Sequence, residues 1–439
     1  MSRSNGILAA SVIVSCILHY YLAFHVTRDQ TIALISAYLA LFIPYVLALK
    51  SAKLKWKNLL GIAFIFRIIW LFAIPEFTDD FYRFFWDAKL SLSGNHPFNY
   101  LPSQLPAEIK SAAQLPHYVF NLMNSPNYFT VYPPLLQGLF AASASLAGND
   151  VATFVVVAKG INLLIEFAGI MALIQVAKHF RIAINKVAIY LLNPLIIVEL
   201  FGNLHYEIVM ISCTFLTIWA ITFKKPIIAA LFIALAISSK LYPILFIPIL
   251  TFMLKGKNRW IFIVLSGLFS LAIFGLYFNL EQLMHMRQSV KLYFEHFEFN
   301  ASIYYLVSYL GLKLGAVLGV FAMILITWFW FKNWRKQDYP KAIGYLSLII
   351  AAYYFFATTV MPWYVGGILA FSVFGNKRFA IIWSALAIVS YSHYTKMPVA
   401  ENYWLISLEY VLVLAWILVE TKKPINKLFE LSKKEETIP

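Results

Sequence analysis

Apolar residues recur along this chain in long runs, and short polar loops separate the runs. Most runs are about 17 to 22 residues long, the length at which an α-helix crosses the hydrocarbon core of a membrane. The pattern therefore predicts an all-α fold, a polytopic transmembrane helical bundle of about 12–14 spans. Among the predicted helices are those at 58–74, 132–148, 151–178, 259–278, 315–331, 342–360, 363–375, 378–394 and 403–420.

The first apolar run, GILAASVIVSCILHYYLAF, is expected to remain in the protein as the first span. It carries His19 in its interior, and no cleavage site of small residues follows it, so it lacks the features of a removable signal peptide. Both cysteines, Cys16 and Cys213, lie inside apolar runs. Their positions exclude a disulfide framework and give no metal-binding spacing.

The basic residues give the predicted bundle an orientation. Of the 439 residues 61% are apolar and only 13% are charged, yet the formal net charge is +15. Lys and Arg gather in short loops, which the positive-inside rule assigns to the cytoplasm. These loops are 50–58, 178–186, 224–225, 255–259, 332–341, 376–378 and the tail from Lys422. Since topology accounts for the charge, no nucleic-acid partner is predicted.

The basic loops at 50–58 and 178–186 belong on the same side, but three apolar segments lie between them. One of the three therefore does not cross the membrane. The segment 132–148 begins with YPPLLQ and is rich in Ala and Ser, so we expect it to be a re-entrant helix that is buried in protein.

A similar argument applies to PIIAALFIALAISS and LYPILFIPILTFML, which meet at Lys240. One continuous span would move the basic loop 255–259 to the outer side, so two short helices that meet on the outer side are predicted. We expect a single transmembrane catalytic domain at 1–430 and a cytoplasmic tail at 431–439.

The residues with chemical potential collect on the predicted outer side. This side receives the long loop 75–131, the junction GNLHYE, Lys240, and the segments 279–314, 358–364 and 393–402. The predicted cytoplasmic loops hold little besides basic residues. The sequence therefore indicates a functional site on the outer surface of a multi-pass integral membrane protein.

The outer loop contains one charged helix, TDDFYRFFWDAKLSLSGN, which we expect to lie in the membrane interface. Thr78 can cap it, Asp79 and Asp80 fall in its first turn, and Gly94 can end it. Apolar residues from Phe81 to Leu92 line one face, and polar residues line the other. An alternative is that the acids only cap the helix, and that Asp80, Arg83 and Asp87 form pairs on a solvated face.

Six stretches, in this order, resemble the GT-C glycosyltransferases, membrane enzymes that take a sugar from a polyprenyl-phosphate carrier. The likeness extends to the catalytic subunit of the first GPI mannosyltransferase and to related bacterial membrane mannosyltransferases. The six stretches cover roughly residues 75–365. The first is the acidic pair with YRFFWDAKL and GNHPFNY, and the other five are TVYPPLLQ, LLNPLIIVELFGNLHYE, SSKLYPILFIPIL, FNASIYYL and MPWY. Family members often have Asp-x-Asp where this chain has adjacent aspartates, so either aspartate can be the reactive one.

The resemblance implies a polyprenyl-phosphate-linked sugar donor, with mannose as the sugar, and a lipid-linked or glycan-linked acceptor. It also implies contact with membrane lipids, a location in the bacterial inner membrane and an active site on its outer face. It places Lys240 at the family's K-x-x-P position.

The residue types suit this chemistry. Displacing a polyprenyl phosphate from an anomeric carbon requires a carboxylate that takes the acceptor proton and cations that hold the phosphate. Asp79 or Asp80 is the candidate base, and Lys240, Arg287 and Lys291 are candidates for binding the donor phosphate. A single displacement inverts the anomeric centre. The candidate substrate-binding residues are Arg83, Asp87, Tyr132, Asn203, His205, Glu207, Trp363 and Tyr364.

A divalent cation stays open as a cofactor, because His205, Glu207 and the aspartates can converge, but no short spacing assigns metal ligands. Two other functions are kept as alternatives. A transporter or flippase of lipid-linked sugars would fit the broken helices at Lys240 but not the one-sided clustering of polar residues. A lipid-linked oligosaccharide ligase or polymerase would use a pyrophosphate-linked donor.

Overall fold

The computed structural model describes residues 3–51, 54–295, 297–311, 314–333, 338–395 and 400–422. Within these ranges the chain is helical and forms no strand, and Phe299 and Thr359 make an isolated parallel bridge. The all-α prediction is confirmed. The predicted tail at 431–439 lies outside the described residues, as do parts of the loops at 332–341 and 393–402.

Ten α-helices form the first half of the chain, with a π-helical stretch at Ile196–Gly202 before the tenth. They are α1 (Arg3–His25), α2 (Thr31–Leu49), α3 (Trp56–Leu71), α4 (Asp80–Leu92), α5 (Ala107–Ala112), α6 (His117–Leu122), α7 (Pro134–Ala147), α8 (Val151–His179), α9 (Ile184–Leu191) and α10 (Glu207–Thr222). The second half contains α11 (Pro226–Ile237), α12 (Ile247–Phe252), α13 (Gly256–Tyr277), α14 (Leu280–Glu295), α15 (Ile303–Tyr309), α16 (Gly315–Asn333), α17 (Tyr339–Phe356), α18 (Val365–Ser372), α19 (Phe379–Leu386) and α20 (Tyr403–Lys422).

Among the described residues, five helices are long and apolar enough to cross a membrane. They are Gly6–His25, Thr31–Leu49, Val151–His179, Gly256–Tyr277 and Tyr403–Thr421. The pair Ile184–Leu191 and Ile196–Gly202 is bent by 48° and makes a sixth if it is one span. These helices confirm the prediction of a multi-pass helical bundle. The count of about 12–14 spans stays a prediction. To reach it, shorter apolar helices such as α10 and α11 would also have to cross the membrane.

The chain breaks at Lys240, as the charge pattern predicts. Helix α11 ends at Ile237, and helical structure resumes only with a 3-10 turn at Tyr242–Phe246 and then α12. Pro243 and Pro248 open these two elements, because proline has no N–H to donate and suits a first helical turn. The four residues 238–241, which include Lys240, connect the two elements.

Three of the loops predicted to be cytoplasmic meet at one end of the bundle. Asn185 donates to the carbonyl of Leu49 at 2.8 Å, and the Lys186 ammonium lies 2.8 Å from Asn376 Oδ1. These contacts join the loops at 50–58, 178–186 and 376–378, which the sequence had assigned to one side. Which face of the membrane this end occupies stays a prediction.

Helix α7, the expected re-entrant segment, has both ends near other parts of the predicted outer side. The amide of Leu135 donates to the carbonyl of Ser238 at 3.0 Å, next to the break at Lys240. Its other end runs directly into α8, where Asp150 caps the new helix by accepting from the amide of Thr153 at 2.7 Å. With 14 residues, α7 is about 21 Å long, shorter than the membrane core. These contacts support the hypothesis that it does not span, which stays a prediction.

A buried ion pair ties α3 to α8. Arg67 donates from Nε and Nη2 to the two carboxylate oxygens of Glu166 at 2.6 and 2.5 Å, and its Nη1 donates to the carbonyls of Ala63 and Leu191. Both side chains are almost completely buried. Lys159, about two helical turns before Glu166, donates to the carbonyl of Trp70 at 2.9 Å and so binds the end of α3, where cations are stabilised.

We expect Arg67→Met to lower the free energy of unfolding by about 3–5 kcal/mol, because it leaves the buried Glu166 carboxylate without its cation. The measurement is unfolding by SDS in mixed detergent micelles. The double variant Arg67→Met/Glu166→Leu removes both charges and should recover most of the loss. Equal stability of the wild type and Arg67→Met would contradict a structural role for this pair.

Candidate active site

Segments that are far apart in the sequence meet at the end of the bundle that holds the break at Lys240. Six segments contribute. They are the turn after α1, the start of α4, the junction between the π-helical stretch and α10, the break after α11, the 3-10 turn Pro362–Tyr364 and the 3-10 segment Ala387–Thr395. The sequence placed all of these except the first on the outer side, the last of them only from residue 393 onwards, without any information about their contacts.

Asp80 is a partly exposed carboxylate of this cluster. Its amide donates to Thr78 Oγ1 at 3.2 Å. The N-cap residue of α4 is Asp79 and not the predicted Thr78, and no side chain makes a capping hydrogen bond there. Its Oδ1 accepts from Asn124 at 2.8 Å, and its Oδ2 lies 4.0 Å from His205 Nδ1. The side chain is 22% exposed. Burial raises the pKa of Asp80 above its usual range, while the Asn124 hydrogen bond and Lys240 oppose that rise.

The neighbouring Asp79 has a different environment. Its Oδ2 accepts from the Arg28 guanidinium at 2.8 Å, and both side chains are partly exposed. Arg28 also lies over the ring of Tyr394, 4.6 Å from its centroid, in a cation–π contact. Asp79 therefore already has a cationic partner. Sequence reasoning missed Arg28, although it lies in a charged turn, HVTRDQ, between two predicted spans.

Lys240 and Glu207 form an ion pair with 2.6 Å between Nζ and Oε1. Glu207 is buried in the first turn of α10, whereas the Lys240 side chain is 27% exposed. The ammonium also lies 5.4 Å from the centroid of the Tyr364 ring. An ammonium has three N–H donors, so the pair with Glu207 orients Lys240 and leaves donors for a ligand.

His205 links these groups to a buried glutamate. Its ring is stacked on Trp363 with 3.6 Å between centroids, and its Nε2 lies 3.7 Å from Glu199 Oε2. Burial, followed by the nearby Lys240 charge, lowers the pKa of His205 well below its usual range, so the imidazole is neutral. Glu199 also accepts from the Tyr391 hydroxyl at 3.1 Å.

Asn203 donates to Glu199 at 3.5 Å, and no described atom hydrogen-bonds its Oδ1. Glu199 was also missed by sequence reasoning. The sequence did contain a signal for Glu199. A carboxylate within the apolar run IIVELFG is costly in a membrane and is therefore usually functional.

Arg83 and Asp87 lie in an internal network instead of on a solvated face. Arg83 Nε donates to Asp87 Oδ1 at 2.7 Å, and its Nη1 donates to the carbonyls of Ser125 and Tyr128. Gln137 of α7 donates to Asp87 Oδ2 at 3.0 Å. Both charged side chains are almost fully buried, because α7 and α8 cover α4. The alternative of a solvated polar face is therefore wrong. Arg83 fixes the segment that carries Asn124, the partner of Asp80.

The remaining candidates occupy other positions. Tyr132 packs edge-on against Phe84, with 4.9 Å between centroids. Arg287 and Lys291 are at exposed positions of α14. That helix contacts the outer loop through Ser289, which donates to the carbonyl of Phe129 at 2.8 Å. In the described part of the chain, no contact joins Arg287 to Lys240. Within the same residues, no three His, Cys, Asp or Glu side chains are grouped so that they could hold a metal ion.

A family model described as "Alpha-(1->6)-mannopyranosyltransferase, N-terminal domain", of the MptA_B family, matches residues 7–256, more than half of the chain. No curated protein and no solved structure matches. The matched range includes Asp80, His205, Glu207 and Lys240, while Trp363 lies beyond it.

Proposed function

The chain belongs to the alpha-(1->6)-mannopyranosyltransferase (MptA_B) family, and from this premise we propose that it transfers mannose from a polyprenyl-phosphate carrier to a hydroxyl of a lipid-linked or glycan-linked acceptor. The family match confirms that the protein is a mannosyltransferase enzyme, so the transporter alternative is set aside. The GT-C likeness, the carrier and the outer face of a bacterial inner membrane are parts of the proposal.

The observation that carries the proposal is the presence of Asp80 and Lys240 in one partly exposed cluster. Asp80 lies 4.0 Å from His205, which is stacked on Trp363, and Lys240 lies over the next residue, Tyr364. Sugar transfer from a phosphate carrier requires a base for the acceptor and a cation for the leaving group. The cluster supplies one of each, with aromatic rings between them that can stack on a sugar.

In the proposed reaction Asp80 accepts the proton of the acceptor hydroxyl. The hydroxyl oxygen attacks C1 of mannose, the bond between C1 and the phosphate oxygen breaks, and its electron pair remains on the phosphate. Lys240 stabilises the phosphate as its charge grows. A single displacement inverts C1, so a β-linked carrier sugar gives the α-linkage in the family's description. Asp80 suits the base role better than Asp79, because Asp79 is bound by Arg28 and a raised pKa makes Asp80 a stronger base.

We expect purified protein in lipid nanodiscs to transfer mannose from polyprenyl-phosphate mannose and not from GDP-mannose. The cluster offers a single ammonium and no Gly-rich nucleotide loop, and sugar nucleotides are absent from the outer face. Mass spectrometry of a crude acceptor-lipid extract after incubation measures the products. Efficient transfer from GDP-mannose without any carrier would refute the donor assignment.

The sidedness of the site has its own test. Ser103 in the outer loop and Ala183 in a basic loop are both exposed. In a variant without Cys16 and Cys213, a cysteine at Ser103 should react with an impermeant thiol reagent added to intact cells, because its loop carries the cluster. A cysteine at Ala183 should react only after permeabilisation. The opposite labelling pattern would place the cluster in the cytoplasm.

A further inference from the structure

A cavity lies beside the cluster and has a different chemistry. It opens where the end of α1 faces the end of α3, and its volume is about 380 Å³, within the usual range for ligand sites. Its wall contains Phe24, His25 and Thr27 on one side and Phe72, Ile74 and Glu76 on the other. None of these six residues contributes to the catalytic steps described above.

The lining combines aromatic faces with hydrogen-bonding groups. Phe24 is 45% exposed and Phe72 is 64% exposed, so their rings are available to a ligand. Phe24 also contacts the ring of Tyr20 in a tilted arrangement, with 5.0 Å between centroids. The exposed Glu76 carboxylate and the His25 ring add polar groups. Such a mixture suits an occupant that has both C–H faces and hydroxyl groups, as a sugar has.

The charges around the cavity argue against a phosphate as its occupant. Asp29, Glu76 and Asp79 are the nearby acids, and Arg28 is the cation that the structure pairs with one of them. Burial raises the pKa of Glu76, and the negative charges of Asp79 and Asp29 raise it further. The negative charges of all three acids are therefore felt at the cavity. A carrier phosphate would be repelled here, whereas a neutral polyol would find acceptors for its hydroxyl protons.

The cavity is also close to the proposed base along the chain. Thr27 in one wall precedes Arg28, and Glu76 in the other lies three residues before Asp79. The Arg28–Asp79 ion pair therefore closes the two walls on the side where Asp80 follows in the chain. A sugar in the cavity would therefore lie next to the segment that carries Asp80.

We propose that this cavity binds the terminal sugar of the acceptor, a neutral mannose-bearing glycan, while the carrier phosphate binds at Lys240. The assignment rests on the proposed function, because it identifies the cavity as the acceptor subsite of that reaction. It separates the two substrates by charge, with the anionic donor at the cation and the neutral acceptor at the acids.

The test is donor-free binding of α-1,6-mannobiose to the protein in nanodiscs, measured by saturation-transfer NMR. Wild type and Asp80→Asn should bind the disaccharide, and Phe72→Ala should bind it about fivefold to tenfold more weakly, because it lacks one stacking face. Phe64→Ala is the matched control, since Phe64 is a 51% exposed phenylalanine of α3, the helix that ends just before Phe72, and it does not line the cavity. Glu76→Gln should weaken binding in the same direction.

Absence of binding to the wild type, or equal binding by Phe72→Ala and Phe64→Ala, would overturn the acceptor subsite. The former result would arise if membrane lipid fills the cavity. Transfer assays on the same samples keep the two proposals apart. Normal transfer from polyprenyl-phosphate mannose with unchanged acceptor KM in Phe72→Ala would reject the subsite alone, whereas mannobiose binding without any transfer would reject the proposed donor alone.

Discussion

Replacing Asp80 by Asn is expected to slow mannosyl transfer by at least about a hundredfold, the usual scale for the loss of a general base. Asn has nearly the same shape, so the hydrogen bond from the amide of residue 80 to Thr78 and the contact with Asn124 can be kept. The substitution removes the proton acceptor and little else. The measurement is the single-turnover rate with saturating donor, together with donor binding, which should be unchanged.

Asp79→Asn is the matched control for this variant. It breaks the pair with Arg28 but leaves the Asp80 carboxylate in place, so we expect a much smaller loss. A large loss in Asp79→Asn with normal transfer by Asp80→Asn would assign the base to Asp79. Near-normal transfer by both variants and by the double variant would leave the two acids with only a structural role at the start of α4.

The pH profile of the wild type should agree with this assignment. The base must be ionised, so kcat/KM should fall as the pH drops through the pKa of Asp80. Because burial raises that pKa above the ordinary value of 3.8, the acid limb should lie above the range of an exposed aspartate. Persistence of full activity below pH 3.8 would contradict Asp80 as the base.

Lys240→Gln is expected to weaken donor binding and to lower kcat/KM by about a hundredfold to a thousandfold, the scale for loss of one donor to a developing negative charge. The carrier phosphate is charged in the bound state and more charged in the transition state, so both quantities should change. Lys240→Arg should keep part of the activity, since it keeps the charge with a different geometry. Steady-state kinetics at varied donor concentration measures both effects.

A control is required because Lys240→Gln also leaves the buried Glu207 carboxylate without its cation. The double variant Lys240→Gln/Glu207→Gln removes both charges, so it should recover stability but not activity. Recovery of activity in the double variant would mean that Lys240 only neutralises Glu207. Unaltered kinetics of Lys240→Gln would mean that Lys240 only extends its charged end to the membrane surface. The donor phosphate would then have to bind near Arg287 and Lys291.

The hydrophobic pattern predicted most helix positions well, because helix length and apolar periodicity are local properties of a sequence. The segments predicted at 151–178, 259–278 and 403–420 correspond to α8, α13 and α20 within a few residues. The break at Lys240 was also predicted, since a charge rule excluded a continuous helix. In this part of the fold, local composition and the membrane's geometry leave few alternatives.

The contacts of the site could be predicted only in part. Placing polar segments on one side of the membrane was sufficient to group Asp80, His205 and Lys240. It could not show that Arg28 binds Asp79 across 51 residues of sequence. Nor could it show that Arg83 and Asp87 turn inwards, because their exposure depends on α7 covering α4, and amphipathic periodicity cannot specify what covers a polar face.

A cryo-EM structure of Asp80→Asn with bound polyprenyl-phosphate mannose would test the central claim most directly, because the slowed variant should hold the donor intact. We expect the phosphate to contact the Lys240 ammonium and the mannose ring to lie against Trp363, with C1 facing residue 80. A donor bound with its phosphate at Arg287 and Lys291, away from residue 80, would contradict the assignment of this cluster as the active site.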